Sequence, residues 1–463
     1  MPAPPRPRRA LALAAAALCL AAAAPASAAS DVFPFAVHDQ TLANGLRVYA
    51  IPFDSPGLVA VYTVVRTGSR NEVEPGKSGF AHFFEHMMFR GTKRTSQDAY
   101  NAALKRMGAD SNAWTWNDQT VYHTVAGAKD LDALLDLEAD RFQHLEYSVA
   151  DFQKEARAVL GEYRKGASNP HQKMQEVLQD LAFTRHPYKH TTIGFLRDIE
   201  AMPKQFAYSR QFFDRYYRPD NVILIVVGDI EASAVFASAS KYYGPWKKGP
   251  RHPKVPVEPP QRAEARKALT WPSPTLPQLV MGFHVPAFGT QSVDHPALEV
   301  LASLAFSERS PLYRRLVIDE QKAESLEADN PSKVDPFLFT IEASIRDAAD
   351  LGLVELAISE EIARIAREGT DPKTLAEVIS HMRYGFAGGL STANDVASTA
   401  AWYSSLTGDP RSVNAWYALL DTVTSADIQR VAATYFKPAN RTVVTLVAQP
   451  TPATPEATTP EVK

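Results

Sequence analysis

The chain has 463 residues and a formal net charge of −3, and 45% of its residues are hydrophobic while 22% are charged. This length exceeds that of one ordinary domain, and the apolar content is sufficient for two or three cores. A net charge so close to zero gives no bulk electrostatic attraction to nucleic acid or to an anionic membrane. We therefore expect a globular protein of two or three domains with no nucleic-acid partner.

Residues 1–28 have the features of an export signal. A basic start precedes the apolar run "ALALAAAALCLAAAA", and Ala26, Ser27 and Ala28 offer small side chains for cleavage. The alternative is a retained amino-terminal anchor. Cleavage would leave no stable membrane span and would remove Cys19, the only cysteine, so the mature chain would have no thiol. We expect a bacterial periplasmic or secreted protein whose metal ligands are all His, Asp or Glu.

The segment "GFAHFFEHMMFRGT", residues 79–92, contains His82 and His86 four positions apart, with Glu85 between them. On a helix, positions i and i+4 share one face, so both imidazoles can bind one ion while Glu85 lies beside that ion as a base. The order His-x-x-Glu-His inverts the commoner zinc-peptidase order and keeps its geometry. A helix that merely carries polar residues is the alternative. The segment predicts a two-histidine zinc site with an adjacent base.

Hydrolytic zinc needs three protein ligands and one open position for water. The segment "DFQKEARAVLGEYRKG", residues 151–166, has a helical pattern that places Glu155 and Glu162 on one face, seven positions apart. One of these carboxylates can bind the ion while the other orients a ligand. The alternative is that both are solvated helix carboxylates, which is the commoner fate of glutamate.

The rest of the chain shows mixed helix and strand patterns around a proline-rich break. Apolar residues at three- and four-residue spacing predict helices at 130–145 and 353–368. The segment "GPWKKGPRHPKVPVEPPQ", residues 244–261, has six prolines and cannot continue a helix or a central strand. The tail at 450–463 is rich in Pro and Thr, which predicts disorder.

The two halves of the chain contain related segments. The segment "YYRPDNVILIVVG" begins at Tyr216, and "YFKPANRTVVTLV" begins 219 positions later at Tyr435. Both lead into β-branched runs that suit buried strands. We predict an α+β fold of two homologous α/β sandwich domains, each a sheet packed with helices, at 34–247 and 271–449, joined by a linker at 248–270.

With these motifs the chain resembles the pitrilysin/insulinase family of inverzincin zinc metallopeptidases, in its single-unit, bacterial processing-peptidase-like branch. That family carries His-x-x-Glu-His and then a ligating Glu, which a second Glu precedes by seven residues. Glu162 stands 76 residues after His86, at the family's spacing. The resemblance implies that His82, His86 and Glu162 bind one Zn²⁺ per chain, that Glu85 is the general base, and that Glu155 supports the site.

Residues 108–125, "GADSNAWTWNDQTVYHTV", resemble the family's Asn-Ala-x-Thr-x-x-Asp-x-Thr-x-Tyr strand. The resemblance implies that the edge of this strand near Asn112 and Ala113 binds the backbone of a peptide substrate. Together with the export signal at 1–28, it implies an exported zinc endopeptidase that hydrolyses extended peptides or unfolded segments. Trp114 and Trp116 either line the substrate groove or pack inside the protein.

The chain departs from the family in its second half. Members that act alone carry there an Arg followed seven residues later by a Tyr, and the register of residues 310–328 places Val317 and Glu324 at those positions. The resemblance therefore implies the catalytic subunit of a two-chain peptidase, whose homologous partner brings the Arg/Tyr pair. A homodimer is the alternative. A non-catalytic structural or binding subunit of the same fold is a further alternative, and the complete zinc motif argues against it.

Overall fold

The computed structural model describes residues 31–449, so the predicted export signal at 1–28 and the predicted tail at 450–463 lie outside the described residues. The described residues after Asp31 belong to one compact unit. Within residues 31–449, no helix combines the length and the apolar content needed to cross a membrane.

Two sheets and the helices around them make up this unit. The strands are β1 (His38–Thr41), β2 (Arg47–Pro52), β3 (Leu58–Val65), β4 (Asp110–Thr115), β5 (Thr120–Gly127), β6 (Val222–Gly228), β7 (Ala265–Trp271), β8 (Gln278–Val285), β9 (Ala323–Asp329), β10 (Phe337–Ile345) and β11 (Arg441–Ala448). The helices are α1 (Phe80–Met87), α2 (Gln97–Met107), α3 (Leu131–His144), α4 (Val149–Gly166), α5 (Pro170–Ala182), α6 (Leu196–Ala201), α7 (Phe206–Tyr216), α8 (Ala232–Tyr243), α9 (Asp294–Phe306), α10 (Pro311–Tyr313), α11 (Leu351–Glu368), α12 (Pro372–Gly388), α13 (Ala393–Thr407), α14 (Ser412–Leu420) and α15 (Ser425–Tyr435). Helices α3 and α11 confirm the two helices predicted between the motifs.

The two sheets have the same strand order once β1 is set aside. The first sheet runs β1-β2-β6-β3-β5-β4, and the second runs β7-β11-β8-β10-β9. Each contains one parallel pair, β2 with β6 and β7 with β11. The predicted α+β fold of two homologous halves, each a sheet packed with helices, is confirmed. The predicted domain boundaries stay a prediction, and the proline-rich break runs without helix or strand between α8 and β7.

The repeated segments make the same contact in both halves. In each copy the proline begins a short 3₁₀ turn that leads into the buried strand β6 or β11. The Asn221 side-chain amide donates to the Tyr216 carbonyl at 2.9 Å, and the Asn440 amide donates to the Tyr435 carbonyl at 2.7 Å. The equivalent turns explain why aromatic, Pro and Asn positions recur at a fixed separation.

Each sheet is covered on its second face by a helix from the other half. Helix α13 packs on β3 and β6 of the first sheet, and α5 packs on β7, β8 and β11 of the second. Because both faces of β3 are covered, its sequence "LVAVYTVV" is nearly all apolar instead of alternating. The two halves therefore complete each other's cores.

Helix α5 buries one apolar stripe against the second sheet. Met174, Leu178 and Ala182 lie four positions apart along the helix and form a cluster with Val280 and Val444. Leu178 has no exposed surface. The buried apolar contacts of this stripe therefore join the two halves and contribute to the stability of both.

We expect Leu178→Ala to lower the free energy of unfolding by about 2–5 kcal/mol, because it removes buried methyl groups and leaves a cavity between the halves. Urea unfolding followed by circular dichroism measures the change. The matched control is Leu356→Ala at a leucine that is 58% exposed on α11, where a change within about 0.5 kcal/mol is expected. Equal effects of the two substitutions would contradict the packing role of α5.

Candidate metal centre and active site

Helix α1 carries the predicted His-x-x-Glu-His motif and is anchored by aromatic packing. Phe83 and Phe84, which lie between the two histidines, are fully buried. The Phe83 ring meets Phe152 of α4 edge-on at 5.0 Å, and the Phe84 ring stacks on Phe212 of α7 at 5.3 Å. This packing fixes the rotation of α1, and thereby the side on which His82 and its polar neighbours lie.

A buried carboxylate holds the start of α1. Glu72 accepts hydrogen bonds from the backbone N–H groups of Gly79 at 2.7 Å and Ala81 at 2.6 Å. Burial raises the pKa of Glu72 to about 8, and the two N–H donors oppose that rise. Gly79 has φ of 94°, and a Cβ there would lie 2.7 Å from the Ile193 carbonyl oxygen, so only glycine fits. Sequence reasoning missed Glu72, whose signal is an acid shortly before a glycine that begins a helix.

Three predicted ligands converge between α1 and α4. The Nε2 atoms of His82 and His86 are 3.3 Å apart, and each lies 3.6 Å from Oε2 of Glu162. A tetrahedral zinc centre with bonds of about 2.0–2.2 Å sets its ligand atoms about 3.3–3.6 Å apart. The three side chains therefore fit one zinc ion. Within residues 31–449 no other group of three or more His, Cys, Asp or Glu side chains lies at metal-binding distances.

The protonation state of His82 suits metal binding. Burial, with a smaller contribution from the neighbouring His86, lowers the pKa of His82 to about 4. A neutral imidazole keeps the lone pair that a metal ligand needs. The Nδ1 atom of His82 is buried and has no hydrogen-bond partner in the described part of the chain.

Glu155 lies behind His86, between that histidine and a guanidinium. One carboxylate oxygen of Glu155 is 3.3 Å from Nδ1 of His86, and the other accepts a hydrogen bond from Arg90. Arg90 also donates to Gln97 Oε1 at 3.3 Å. A carboxylate at Nδ1 orients the ring so that Nε2 faces the ion. Sequence reasoning missed Arg90, which lies four positions after His86 and just beyond the end of α1.

The predicted base, Glu85, is held by a threonine from β4. The Thr115 hydroxyl donates to Glu85 Oε2 at 2.6 Å. Burial raises the pKa of Glu85, and this hydrogen bond lowers it. Thr115 was not identified from the sequence, although it lies two positions after Ala113 and so on the same face of the strand.

The predicted substrate strand at 108–125 is a hairpin of two strands, because residues 116–119 form a turn between β4 and β5. Strand β4 is an edge strand, with Asn112 opposite His123 and Ala113 opposite Tyr122. The second edge of β4 therefore has no partner strand within residues 31–449. The predicted substrate-binding positions lie on this free edge.

The two tryptophans of the hairpin differ in environment. Trp114 packs edge-on against Tyr62 at 6.0 Å, while Trp116 is 50% exposed. Trp114 is therefore partly buried against the core, whereas half of the Trp116 side chain is exposed to solvent.

Three other histidines, His171, His186 and His190, lie outside the converging group. Nε2 of His186 donates to Asp335 Oδ2 at 2.9 Å, because Nδ1 of His186 accepts from the Tyr188 N–H. Nε2 of His171 lies 2.7 Å from Glu342 Oε2. His190 is buried, and its pKa is lowered to about 4 by burial. None of these side chains joins the three that converge between α1 and α4.

Comparison with known proteins identifies the family. The model of the insulinase family (peptidase family M16) matches residues 54–194, and the model described as the peptidase M16 inactive domain matches residues 207–382. The chain belongs to peptidase family M16. The resemblance inferred from the sequence motifs is therefore confirmed.

Relatives within peptidase family M16 include named zinc proteases. The chain is 28% identical to zinc protease PqqE of Helicobacter pylori over 412 residues, 88% of this chain and 91% of that one. The crystal structure of a protease from Helicobacter pylori matches with a TM-score of 0.83 at 28% identity, covering 89% of this chain and 99% of that one. The periplasmic protease PqqL of Escherichia coli shares the fold, with a TM-score of 0.73 at 19% identity over 89% of this chain and 47% of that chain. Membership of this family supports a zinc metallopeptidase.

We expect purified wild-type chain to bind one zinc ion and the Glu162→Gln variant to lose most of it, because a neutral amide is a much poorer zinc donor than a carboxylate. Glu155→Gln should retain the ion with an affinity about 10- to 100-fold lower, since it disturbs only the partner of His86. Chelator competition and elemental analysis measure both effects. Glu146→Gln, at an exposed glutamate, is the control and should bind like the wild type. Undiminished zinc in Glu162→Gln would move the third ligand elsewhere.

Proposed function

We propose that this chain is an exported zinc-dependent endopeptidase that hydrolyses extended peptides or unfolded segments. The observation that carries the proposal is the approach of His82, His86 and Glu162 to within 3.6 Å of one another beside Glu85. The proposal is further supported because this group of side chains occurs in a member of a family that includes zinc proteases. Export is supported by the signal-like pattern at residues 1–28.

In this proposal His82, His86 and Glu162 hold one Zn²⁺. When bound, zinc supplies a Lewis acid for the scissile carbonyl and makes a nearby water more acidic. Glu85 accepts the proton of the attacking water and later returns it to the leaving amine. The Thr115 hydroxyl directs the Glu85 carboxylate during both transfers.

The substrate binds as an added strand on β4. The free edge of β4 at Asn112 and Ala113 supports this assignment, because unpaired backbone groups of an edge strand can pair with an extended peptide. In such pairing, the register of the main-chain hydrogen bonds positions the scissile bond, and the side chains of the peptide contribute less. We therefore infer loose sequence preference and a requirement for unfolded substrate.

We propose further that residues 34–247 are the catalytic zinc domain, that 248–270 are a linker, and that 271–449 are a homologous domain without zinc ligands. The equivalent strand orders of the two sheets, and the stretch without helix or strand between α8 and β7, support this division. The inactive-domain model matches residues 207–382, which include the end of the first half and much of the second. The three converging side chains all come from the first half.

The proposed enzyme works as the catalytic subunit of a two-chain peptidase. Val317, at the expected Arg position, is buried in a π-helical turn, and Glu324, at the expected Tyr position, pairs with Arg346 at 2.7 Å. Neither side chain can bind a substrate carbonyl as a donor. The twofold length of the Escherichia coli PqqL chain, of which this chain matches 47%, also fits two such units. A homologous partner carrying the Arg/Tyr pair would complete the site, and a second copy of this chain is the alternative.

We expect Glu85→Gln to keep the fold and the zinc yet to lower peptide cleavage by at least about 100-fold, because an amide can bind water but cannot accept its proton. Cleavage of a fluorogenic unfolded peptide, with zinc content measured in parallel, makes the test. Glu360→Gln, at an exposed glutamate of the second half, is the matched control. Near-normal turnover by Glu85→Gln would remove Glu85 as the base.

We also expect the isolated chain to be a poor peptidase whose rate rises by about two to three orders of magnitude on mixing with a homologue from the same source that carries the Arg/Tyr pair and lacks the zinc motif. The missing pair would otherwise donate to the substrate carbonyl and to the charge of the transition state. Zinc content should not change on mixing. Full activity of the isolated chain, unaltered by the homologue, would show that no partner is needed.

A further inference from the structure

A buried cation of the second half contacts the hairpin that carries Thr115. Lys333 lies in the connection between β9 and β10 and is only 6% exposed. Its ammonium group donates to Asn117 Oδ1 at 2.7 Å and lies over the rings of Trp116 and Phe337, at 5.7 and 5.1 Å from their centres. Burial lowers the pKa of Lys333, while Asp118 and Asp329 favour its charged form.

The β4–β5 turn at 116–119 is held by further contacts on the same side. Asp118 accepts hydrogen bonds from the Tyr188 hydroxyl at 2.6 Å and from the Val334 N–H at 3.2 Å. The Arg70 N–H donates to the Asn117 carbonyl at 2.8 Å. The turn is therefore fixed from both halves of the chain.

This turn directly follows the residue that holds the base. Thr115 is the last residue of β4, and Trp116 begins the turn that Lys333 contacts through Asn117. The hydrogen bond from the Thr115 hydroxyl to Glu85, at 2.6 Å, weakens when the end of β4 moves, because hydrogen bonds depend steeply on distance and angle. A displacement of about 1 Å in a catalytic arrangement can cost up to about 100-fold in rate.

We propose that Lys333 is a positioning residue for Glu85, through which the second half of the chain holds the Thr115 hydroxyl against the base. This inference rests on the proposed peptidase function. A purely structural role, in which Lys333 joins the two halves without affecting the base, predicts lower stability and unchanged turnover. Measuring kcat and KM separately distinguishes the two roles. A positioning role lowers kcat with little change in KM, whereas a purely structural role leaves kcat unchanged.

The test compares Lys333→Met, Thr115→Val and the double variant. Each single substitution should lower kcat about 10-fold, with KM and zinc content within about twofold of the wild type. The double variant should fall about as far as the worse single one, because both substitutions act on one contact and their effects are not additive. Lys322→Met is the matched control, since Lys322 is a partly buried lysine of the second half that pairs with Asp350 at 3.0 Å. It should keep the wild-type kcat.

A second readout does not depend on activity. Hydrogen exchange of the metal-free protein should accelerate at residues 116–119 in Lys333→Met and remain unchanged there in Lys322→Met. Should Lys333→Met fail to fold, Asn117→Ala removes the acceptor oxygen of Lys333 while keeping the lysine, and the same fall in kcat is expected.

The outcomes distinguish this inference from the proposed function. An active wild type with full kcat in Lys333→Met, or rate losses that multiply in the double variant, overturns the positioning role alone. A wild type that binds zinc but cleaves no peptide, with or without a homologous partner, overturns the proposed function and this inference with it.

Discussion

The fixed position of α1 is the constraint on which the rest of the candidate site depends. The Nε2 atoms of His82 and His86 can meet one ion only while the helix keeps its rotation and its height above the sheet. Glu72 holds the first turn of the helix, and the Tyr122 hydroxyl donates to the Phe84 carbonyl at 3.1 Å. Aromatic packing fills the space between these two contacts, so rotation or sliding of α1 would cost packing energy.

Helix α4 supplies the second support of the site. A capping box at Ser148 and Asp151 fixes its first turn, and Phe152 packs against α1. With the helix start fixed, Glu155 and Glu162 both lie beside α1. Glu155 approaches Nδ1 of His86, and Glu162 approaches Nε2 of the same ring. The same helix therefore provides both the carboxylate that faces the candidate ion and the carboxylate that orients a histidine.

The second half is part of the same compact unit as the first, although it contributes no side chain to the group formed by His82, His86 and Glu162. Helices α5 and α13 each complete the core of the opposite half, so the halves share their apolar cores. The Arg70–Asp335 pair, at 2.6 Å, adds a polar contact between them. The β4–β5 hairpin beside the candidate site contacts residues of both halves.

The sequence by itself determined the features that depend on local spacing. His82, Glu85 and His86 share a helix face because of the helical period, and the repeat beginning at Tyr216 and Tyr435 predicted two equivalent halves. Spacing on α4 left open which of its two carboxylates meets the histidines. The resemblance to the family indicated Glu162, which lies 3.6 Å from both imidazoles.

Only the tertiary structure decided the contacts between segments that are distant in sequence. Thr115 meets Glu85 because the hairpin lies over α1, and Lys333 meets Asn117 across 216 positions of chain. The exchange of α5 and α13 between the halves likewise has no local signal, since an amphipathic helix shows which face it buries but not against which sheet. Periodicity describes one element at a time, whereas these contacts depend on the docking of several elements at once.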